Sequence, residues 1–498
     1  MKAKQVEEDF RAYLEKLQAL RHAMIILSYD AETIMPAAGA EALGETTGLL
    51  AEEQQRLLIA DQLRELISAV EDCGEQLPEE LRAEAKELAR QQAKMSAIPP
   101  AEYREFNSLQ AQAVQVWKDA KQQEDFSSFQ PYLQKLIDYA KRFAGYYRQD
   151  IAIYDVLLDD NDQGLTMEEL DPFFEQVSGE LCPLIKEIGQ QPAPENSFLQ
   201  GHFPIPEQQR LAERLMELMG IDRKRCSLGE TEHPFTDCVN NRDVRLTTHY
   251  YEDDLTNSMY SVIHEGGHAL YMLNVDDRLN GLAVGLGAST ALHESQSRLF
   301  ENMVGRSREF LGFLMPELQE LFPSLQGVSA EQFYRGVNHS QPSLIRITAD
   351  ELTYPLHILI RYRLEKALFS DELKVEELPQ AWDDLYQEYL GLHADRLSSG
   401  VLQDTHWASG LFGYFPGYAL GSAYGAQLFH AAEKELNLSA ALREGQLEPL
   451  CDWLRQRVWR LGGLKQPKTI IREASGEDFN PQYYTRYLQE KYRQVYGI

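Results

Sequence analysis

The 498-residue chain contains few cysteines, no long apolar run and comparatively few basic residues. Its five cysteines form no Cys-x-x-Cys pair, which argues against a disulfide framework and against a zinc site built from thiolates. The longest apolar runs, such as residues 356–360, are too short to cross a bilayer. Because the first residues also lack the apolar stretch and cleavage site of a signal peptide, the sequence predicts a cytoplasmic protein.

The charge balance is strongly acidic, with 48 basic against 78 acidic residues and a net charge of −30. Such a surface repels nucleic acids and anionic membranes, so neither is an expected partner. A substrate that carries a carboxylate would therefore need a local cationic pocket that acts against the global field.

Apolar residues recur at three- and four-residue spacing through most of the chain, which predicts helices. The character changes between residues 226 and 251, where β-branched and aromatic residues flank a turn-like segment, Asn240 to Asp243. This region predicts a small sheet, and Leu282 to Leu286 is a second, weaker strand candidate.

No fixed-period repeat or low-complexity linker divides the chain. The sequence therefore predicts a mainly α protein in which residues 1–498 form a single unit with two lobes that flank a groove. Its expected parts are a helical N-terminal part at about 1–225, a core that contains the motif described next at about 226–425 and a helical C-terminal part at 426–498.

The strongest chemical signal is the His-Glu-x-x-His pattern of His264-Glu-Gly-Gly-His268. On a helix, residues four apart lie on one face with Cβ atoms roughly 6 Å apart, so both imidazoles can reach one ion. Thr256 or Asn257 is the expected N-cap. Two glycines inside a helix cost about 1 kcal/mol each, which predicts that a strand or the substrate approaches this helix closely.

A catalytic zinc ion needs a third protein ligand and an open fourth position for water. Downstream, Glu294 lies on a second predicted helix, directly after a run of mainly apolar and small residues at 282–292. The neighbouring His293 is the alternative third ligand. With zinc in such a site, the bound water becomes more acidic, and Glu265 is placed to take its proton and pass it to the leaving amine. A Tyr, His or Arg must then stabilise the oxyanion.

Six short motifs follow one another in an order that resembles the carboxypeptidase Taq family of metallocarboxypeptidases, over nearly the whole chain. They are His233-Pro-Phe235, Asp243-Val-Arg-Leu-Thr247, the His264 to His268 helix, His293-Glu-Ser-Gln296, Ile345-Arg-Ile-Thr-Ala-Asp350 and Gly400-Val-Leu-Gln-Asp-Thr-His-Trp407.

The resemblance implies a large, mostly helical, zincin-like fold with a small sheet beside a deep active-site groove, usually as a homodimer. The implied activity removes single residues from peptide C-termini with broad specificity, but poorly where that residue is proline. Zinc is the implied metal, and Co²⁺ is expected to replace it. The resemblance also favours Glu294 over His293 as the third ligand.

The same resemblance gives the other motifs substrate-binding roles. A carboxypeptidase needs a cation to hold the terminal carboxylate, and a guanidinium group fits that geometry best. Arg346 is the first candidate and Arg245 the second, with His406 and His233 as supporting donors.

The oxyanion donor is expected in a Gly- and Tyr-rich segment, residues 412–418. This segment looks like the one that related helical zinc peptidases place opposite the metal. Tyr418 and Tyr414 are the candidates.

Two alternative functions are a zinc peptidase that cuts in another direction and a protein that binds metal without catalysis. A zinc aminopeptidase or oligopeptidase on a similar scaffold would cut differently, but the sequence holds no Gly-x-Met-Glu-Asn segment of the kind that grips a free amino terminus. A catalytically silent metal-binding scaffold would be expected to have lost the general base or a ligand, whereas Glu265 and every ligand candidate remain.

Overall fold

The computed structural model describes residues 2–498, which are mainly helical, as predicted. Nine α-helices precede the sheet: α1 Lys2–Thr33, α2 Ala40–Leu58, α3 Asp61–Cys73, α4 Glu79–Ala97, α5 Pro100–Gln123, α6 Phe126–Tyr147, α7 Ile153–Asn161, α8 Met167–Ile188 and α9 Ile205–Leu218. The strands are β1 Cys226–Glu230, β2 Thr236–Asn240 and β3 Asp243–Thr248.

Eleven α-helices follow the sheet within the described residues: α10 Leu255–Leu273, α11 Thr290–Arg298, α12 Arg308–Leu321, α13 Ala330–Val337, α14 Tyr354–Phe369, α15 Leu378–Leu390, α16 Pro416–Glu435, α17 Leu438–Arg443, α18 Glu448–Arg457, α19 Pro467–Ser475 and α20 Gln482–Tyr496. Helix α11 continues directly into a π-helical segment, Leu299–Gly305. No helix among residues 2–498 is both long and apolar enough to span a membrane.

The three strands form one small sheet in the order β1-β3-β2, which confirms the predicted sheet. Strand β1 pairs with β3 in parallel, and β2 pairs with β3 in antiparallel fashion across the predicted turn. Val244 and Leu246 of β3 are fully buried, in keeping with the alternation expected of a strand with one covered face.

The predicted strand at Leu282 to Leu286 is wrong, because this segment forms a 3₁₀ helix, Ala283–Leu286. The buried Glu84 carboxylate accepts hydrogen bonds from the amides of Ala283 and Val284, both at 3.0 Å. These amides are therefore not available to pair with a neighbouring strand. The local pattern of apolar residues cannot reveal this contact, because Glu84 is distant in sequence.

The described chain clusters into two compact units, each assembled from three segments. Unit 1 comprises the chain up to Ser96, Glu195–Val337 and Leu428–Phe479, and unit 2 comprises Ala97–Pro194, Asn338–Gln427 and Asn480–Ile498. The division into N-terminal, central and C-terminal parts of a single catalytic unit stays a prediction.

Helix α10 forms much of the core of unit 1 and packs against α9, α11 and β3. The predicted cap residues were wrong: Asp254 is the N-cap, and its carboxylate accepts hydrogen bonds from the amides of Thr256 and Asn257. Asp at this position satisfies amides that the first helical turn leaves unpaired, so the helix begins at the buried Leu255.

Helix α14 occupies the core of unit 2. Almost all of its residues are buried, including the charged side chains of Arg361 and Glu365, which are both fully enclosed. Because buried charges require partners, these two residues indicate a polar network in this unit.

Candidate active site

Two helices of unit 1 bring together the three predicted metal ligands. His264 and His268 lie one turn apart on α10, and Glu294 lies on α11. The Glu294 Oε2 atom is 3.7 Å from His264 Nε2 and 3.5 Å from His268 Nε2. One ligand atom from each residue lies within 4.8 Å of the others, so all three can contact one ion.

The close approach of α10 to α11 depends on Gly267. A Cβ atom on this residue would lie 2.6 Å from the carbonyl oxygen of Gln296 and 2.7 Å from Ser297 Cα. The predicted neighbour, a strand or the substrate, was therefore wrong, because the close neighbour of the helix here is the backbone of α11. Gly266 instead faces the flexible end of Met219.

Glu301 holds the first histidine in one orientation. Its Oε2 atom lies 2.9 Å from His264 Nδ1, and its carboxylate also contacts Arg298 and Arg306. Because a carboxylate accepts, Nδ1 of His264 carries the proton of this hydrogen bond, and Nε2 faces Glu294.

His293 contacts Nδ1 of the second histidine, His268, as Glu301 contacts Nδ1 of His264. The two Nδ1 atoms are 2.5 Å apart. Burial and the neighbouring His268 keep the pKa of His293 well below its ordinary value, so His293 is neutral. This contact occupies Nδ1 of His268, and Nε2 of the same ring faces Glu294. His293 thus contacts a ligand candidate rather than joining the cluster of His264, His268 and Glu294.

Glu294 is ionised in spite of its burial. Desolvation opposes the charge, but Arg298 and the two imidazoles outweigh it and hold the pKa of Glu294 well below its usual range. Arg298 Nε donates to Oε1 at 2.8 Å, whereas Oε2 is the oxygen that faces both imidazoles. This arrangement presents one carboxylate oxygen to an ion.

Glu265, next to His264 on α10, is buried, with 8% of its surface exposed. The hydroxyl group of Thr236 on β2 lies 2.7 Å from its Oε2 atom, which orients the carboxylate. Sequence reasoning missed Thr236, Glu301 and Arg298. The spacing of Glu294, Arg298 and Glu301 along one helical segment was a usable signal, whereas Thr236 gave none.

Two imidazole nitrogens and one carboxylate oxygen are the donor set of a catalytic, three-ligand divalent-metal site. Both imidazoles direct Nε2 toward Glu294 Oε2, and the carboxylate supplies one negative charge. The residues present therefore fit a divalent ion that takes three protein ligands.

The other two candidates of unit 1 have separate surroundings. Arg245 on β3 forms a two-point ion pair with Asp243, at 3.0 and 3.1 Å, and its guanidinium group lies over the ring of Tyr29. His233 is exposed in the loop between β1 and β2.

Unit 2 contains a buried cluster of two arginines and one aspartate. Arg346 Nε donates to Asp404 Oδ1 at 2.9 Å, and Arg361 Nε donates to Asp404 Oδ2 at 2.8 Å. Burial disfavours the charge of Asp404, but the two guanidinium groups hold its pKa well below the ordinary range. Two positive charges thus face one negative charge, and the cluster is cationic.

The remaining candidates lie around Arg346. Its guanidinium group is 5.3 Å from the ring centre of Tyr418, whose hydroxyl group is 3.2 Å from His406 Nε2. The rings of His406 and Tyr414 are 5.7 Å apart. Burial, reinforced by Arg346, lowers the pKa of His406 to about 4, so this imidazole is neutral near pH 7. Unit 2 therefore groups one cation with three neutral hydrogen-bonding side chains.

Comparisons with known proteins agree with this geometry. The carboxypeptidase Taq (M32) metallopeptidase family matches residues 9–492. The chain is 39% identical to carboxypeptidase 1 of Bacillus subtilis over 494 residues, 98% of each chain. It is 34% identical to thermostable carboxypeptidase 1 of Pyrococcus furiosus over 97% of each chain. The crystal structure of an M32 carboxypeptidase from Deinococcus radiodurans aligns with a TM-score of 0.95 and 34% identity, over 99% of this chain and 100% of that chain.

The helical fold and these matches define a metallocarboxypeptidase, a peptide hydrolase that depends on a divalent metal. The chain belongs to the carboxypeptidase Taq (M32) family.

Proposed function

We propose that this metallocarboxypeptidase is a zinc enzyme that releases single C-terminal residues from peptides, with Glu265 as general base for the attacking water. The observation that carries the proposal is the convergence of His264, His268 and Glu294 within 4.8 Å, with Glu265 adjacent on the same helix.

When bound, zinc would polarise the scissile carbonyl group and make water more acidic. The residues of the chain supply the rest of the chemistry. Glu265 takes the proton of the attacking water, and the hydroxyl group of Thr236 at Oε2 leaves Oε1 to make this contact. Glu265 then delivers the proton to the nitrogen of the leaving amine, which completes the hydrolysis of the peptide bond.

Arg346 is the proposed partner of the substrate's terminal carboxylate. Its cluster with Arg361 and Asp404 has a surplus positive charge in buried surroundings, where an anion is attracted far more strongly than in water. His406, neutral and close to Arg346, is a supporting donor. Arg245 is the alternative. Its guanidinium group pairs with Asp243 as that of Arg346 pairs with Asp404, but only Asp404 is shared with a second arginine, so only the Arg346 cluster has surplus positive charge. His233 stays a supporting candidate.

Tyr418 and Tyr414 remain the proposed donors to the oxyanion. The contact of Tyr418 with the neutral His406 keeps its hydroxyl group in a hydrogen-bonding environment. Replacement of the true donor by Phe should lower kcat by about 10²-fold or more, whereas replacement of the other should not.

The finer proposals rest on the family resemblance. They are zinc with cobalt as a working substitute, broad specificity that excludes C-terminal proline, and a homodimer; a cytoplasmic location is a separate proposal. Release of residues from a mixed peptide pool, before and after chelation and reloading with either metal, tests the first two. Sedimentation of the purified protein tests the dimer.

The central test is Glu265→Gln, which keeps the shape of the side chain but removes its basicity. We expect turnover to fall by about 10³-fold or more with zinc content near wild type. Thr236→Val, which removes only the orienting hydroxyl, should give a smaller loss. Substantial residual turnover in Glu265→Gln would exclude Glu265 as the base.

A pair of blocked peptides tests the direction of cleavage. A carboxypeptidase cleaves a peptide with an acetylated N-terminus and rejects one with an amidated C-terminus. The opposite pattern would establish an aminopeptidase, and cleavage of both would establish an oligopeptidase.

A further inference from the structure

A buried carboxylate in unit 2 has no role in the chemistry described above. Glu365 lies one turn after Arg361 on α14, and both side chains are fully buried. Arg361 binds Asp404, and Glu365 binds residues further along the same irregular segment, here called the 404–414 segment. Two adjacent turns of α14 thus hold this segment at several points.

Three neutral donors surround Glu365. The indole of Trp407 donates to Oε1 at 2.7 Å, and Oε2 accepts from the amide of Gly413 at 2.9 Å and from the hydroxyl group of Tyr154 at 2.8 Å. One carboxylate therefore joins two points of the 404–414 segment that are six residues apart. Tyr154 belongs to α7 and lies outside the segment.

The tethered residues are direct chain neighbours of two candidates for substrate contact. His406 precedes Trp407, and Tyr414 follows Gly413. Gly413 has a φ of +71°, and a Cβ atom there would lie 2.6 Å from the backbone of Leu157. The segment is therefore closely packed where Glu365 fixes its amide, and a shift at this point is passed on to Tyr414.

A role as packing material alone does not explain a charged residue at this position. Burial raises the pKa of Glu365 to about 7 even though three hydrogen-bond donors favour its ionised form. An ionised Glu365 at this position therefore has an electrostatic penalty. An apolar side chain would avoid this penalty but leave the donors of Trp407 and Gly413 without their acceptor. Helix α5 adds an outer anchor, since Gln110 donates to the carbonyl oxygen of Ser409 at 2.8 Å.

We infer that Glu365 is a positioning residue for substrate capture, which sets the places of His406 and Tyr414 by holding Trp407 and Gly413. This inference rests on the proposed function, in which His406 supports the capture of the terminal carboxylate and Tyr414 is a candidate oxyanion donor.

The test compares two variants that each disturb one carboxylate. Glu365→Gln keeps the shape but turns an acceptor into a donor toward the segment. Tyr154→Phe removes a hydrogen bond to the same carboxylate without touching the segment, and it is the matched control. Each metal-loaded protein is titrated by calorimetry with a non-hydrolysable dipeptide analogue that bears a free carboxylate, and with the carboxamide of that analogue.

We expect wild type and Tyr154→Phe to bind the acid at least about tenfold more tightly than the amide. Glu365→Gln should lose about tenfold in affinity for the acid and little for the amide, with zinc content unchanged. If Glu365→Gln does not fold, Trp407→Phe removes one tether in its place and should show the same selective loss.

The outcomes separate the inference from the proposed function. If wild type itself does not distinguish acid from amide, capture of the terminal carboxylate is refuted. If wild type distinguishes them and both Glu365→Gln and Trp407→Phe do so equally well, the positioning role is refuted. Equal losses in Glu365→Gln and Tyr154→Phe would also refute it, because they would indicate a general structural effect.

Discussion

Replacement of Gly267 by Ala should separate the two helices that carry the metal ligands. The added Cβ atom would lie 2.6 Å from the carbonyl oxygen of Gln296 and 2.7 Å from Ser297 Cα, both backbone atoms of α11. Neither atom can rotate away, so the helices must move apart by roughly 0.5–1 Å. Because Glu294 lies on α11 and His268 follows Gly267 directly, the metal site widens.

The magnitude follows from two opposing terms. Alanine in a helix interior gains about 1 kcal/mol over glycine. Overpacking against rigid neighbours costs about 1–3 kcal/mol or more. We therefore expect a net loss of up to about 2 kcal/mol in the free energy of unfolding of the metal-free protein. Metal–ligand distances in such sites can deviate by only about 0.2 Å from their ideal values, so zinc affinity should fall by about 10–100-fold.

The adjacent glycine supplies the control. At Gly266 an added Cβ atom would lie 2.7 Å from Met219 Cε and 2.8 Å from Met219 Sδ, the flexible end of a side chain that can turn aside. Gly266→Ala should thus be neutral or stabilising by up to about 1 kcal/mol, with zinc affinity within about threefold of wild type.

Zinc affinity is measured by competition with a chromophoric chelator, and stability is measured by urea unfolding of the stripped proteins. The reasoning is refuted if Gly267→Ala binds zinc as tightly as wild type. It is equally refuted if Gly266→Ala loses as much affinity as Gly267→Ala, because the backbone contact would then not be the cause.

Three further predictions concern the surroundings of the two clusters. Glu301→Gln weakens the charge that orients His264 and should lower zinc affinity by about 10–100-fold in chelator competition; an unchanged affinity would contradict the assigned orientation. Asp404→Asn leaves Arg346 and Arg361 without a buried counter-charge and should cost about 3–5 kcal/mol in urea unfolding; a cost below about 1 kcal/mol would show that the cluster is hydrated. The pKa of Glu365 is about 7 in the folded protein and 4.5 as a free side chain, so its neutral form stabilises the fold at low pH and this contribution is lost as the pH rises through about 7. The cost of Glu365→Gln should accordingly shrink by about 2–3 kcal/mol between pH 5 and pH 8, and a cost that grows over this range would contradict the raised pKa.

The local spacing of residues along the chain was sufficient to predict the helical class, the small sheet and the helix that carries His264 and His268. Spacing of four residues within one helix places His264 and His268 on one face whatever surrounds them. The same local reasoning failed at Leu282 to Leu286, where the side chain of Glu84, distant in sequence, takes the backbone amides. It also predicted the wrong cap for α10, since the N-cap is Asp254 and not Thr256 or Asn257.

The third ligand needed more than spacing. Adjacent His293 and Glu294 could not be separated by residue type, and the resemblance favoured Glu294. The structure brings Glu294 Oε2 to both Nε2 atoms, whereas His293 lies against the opposite side of the His268 ring, at Nδ1. The ligand role of Glu294 itself remains part of the proposal.

The sequence by itself determined the chemical class of the site, because two histidines and a glutamate within one helical turn already restrict the chemistry. Tertiary structure decided which nitrogen each histidine presents, since Glu301 and His293 are 37 and 25 residues away from their partners. It also decided what Gly267 and Glu365 contact. Hydrogen bonds and close packing act over a few ångströms in space, and distances along the chain do not encode them.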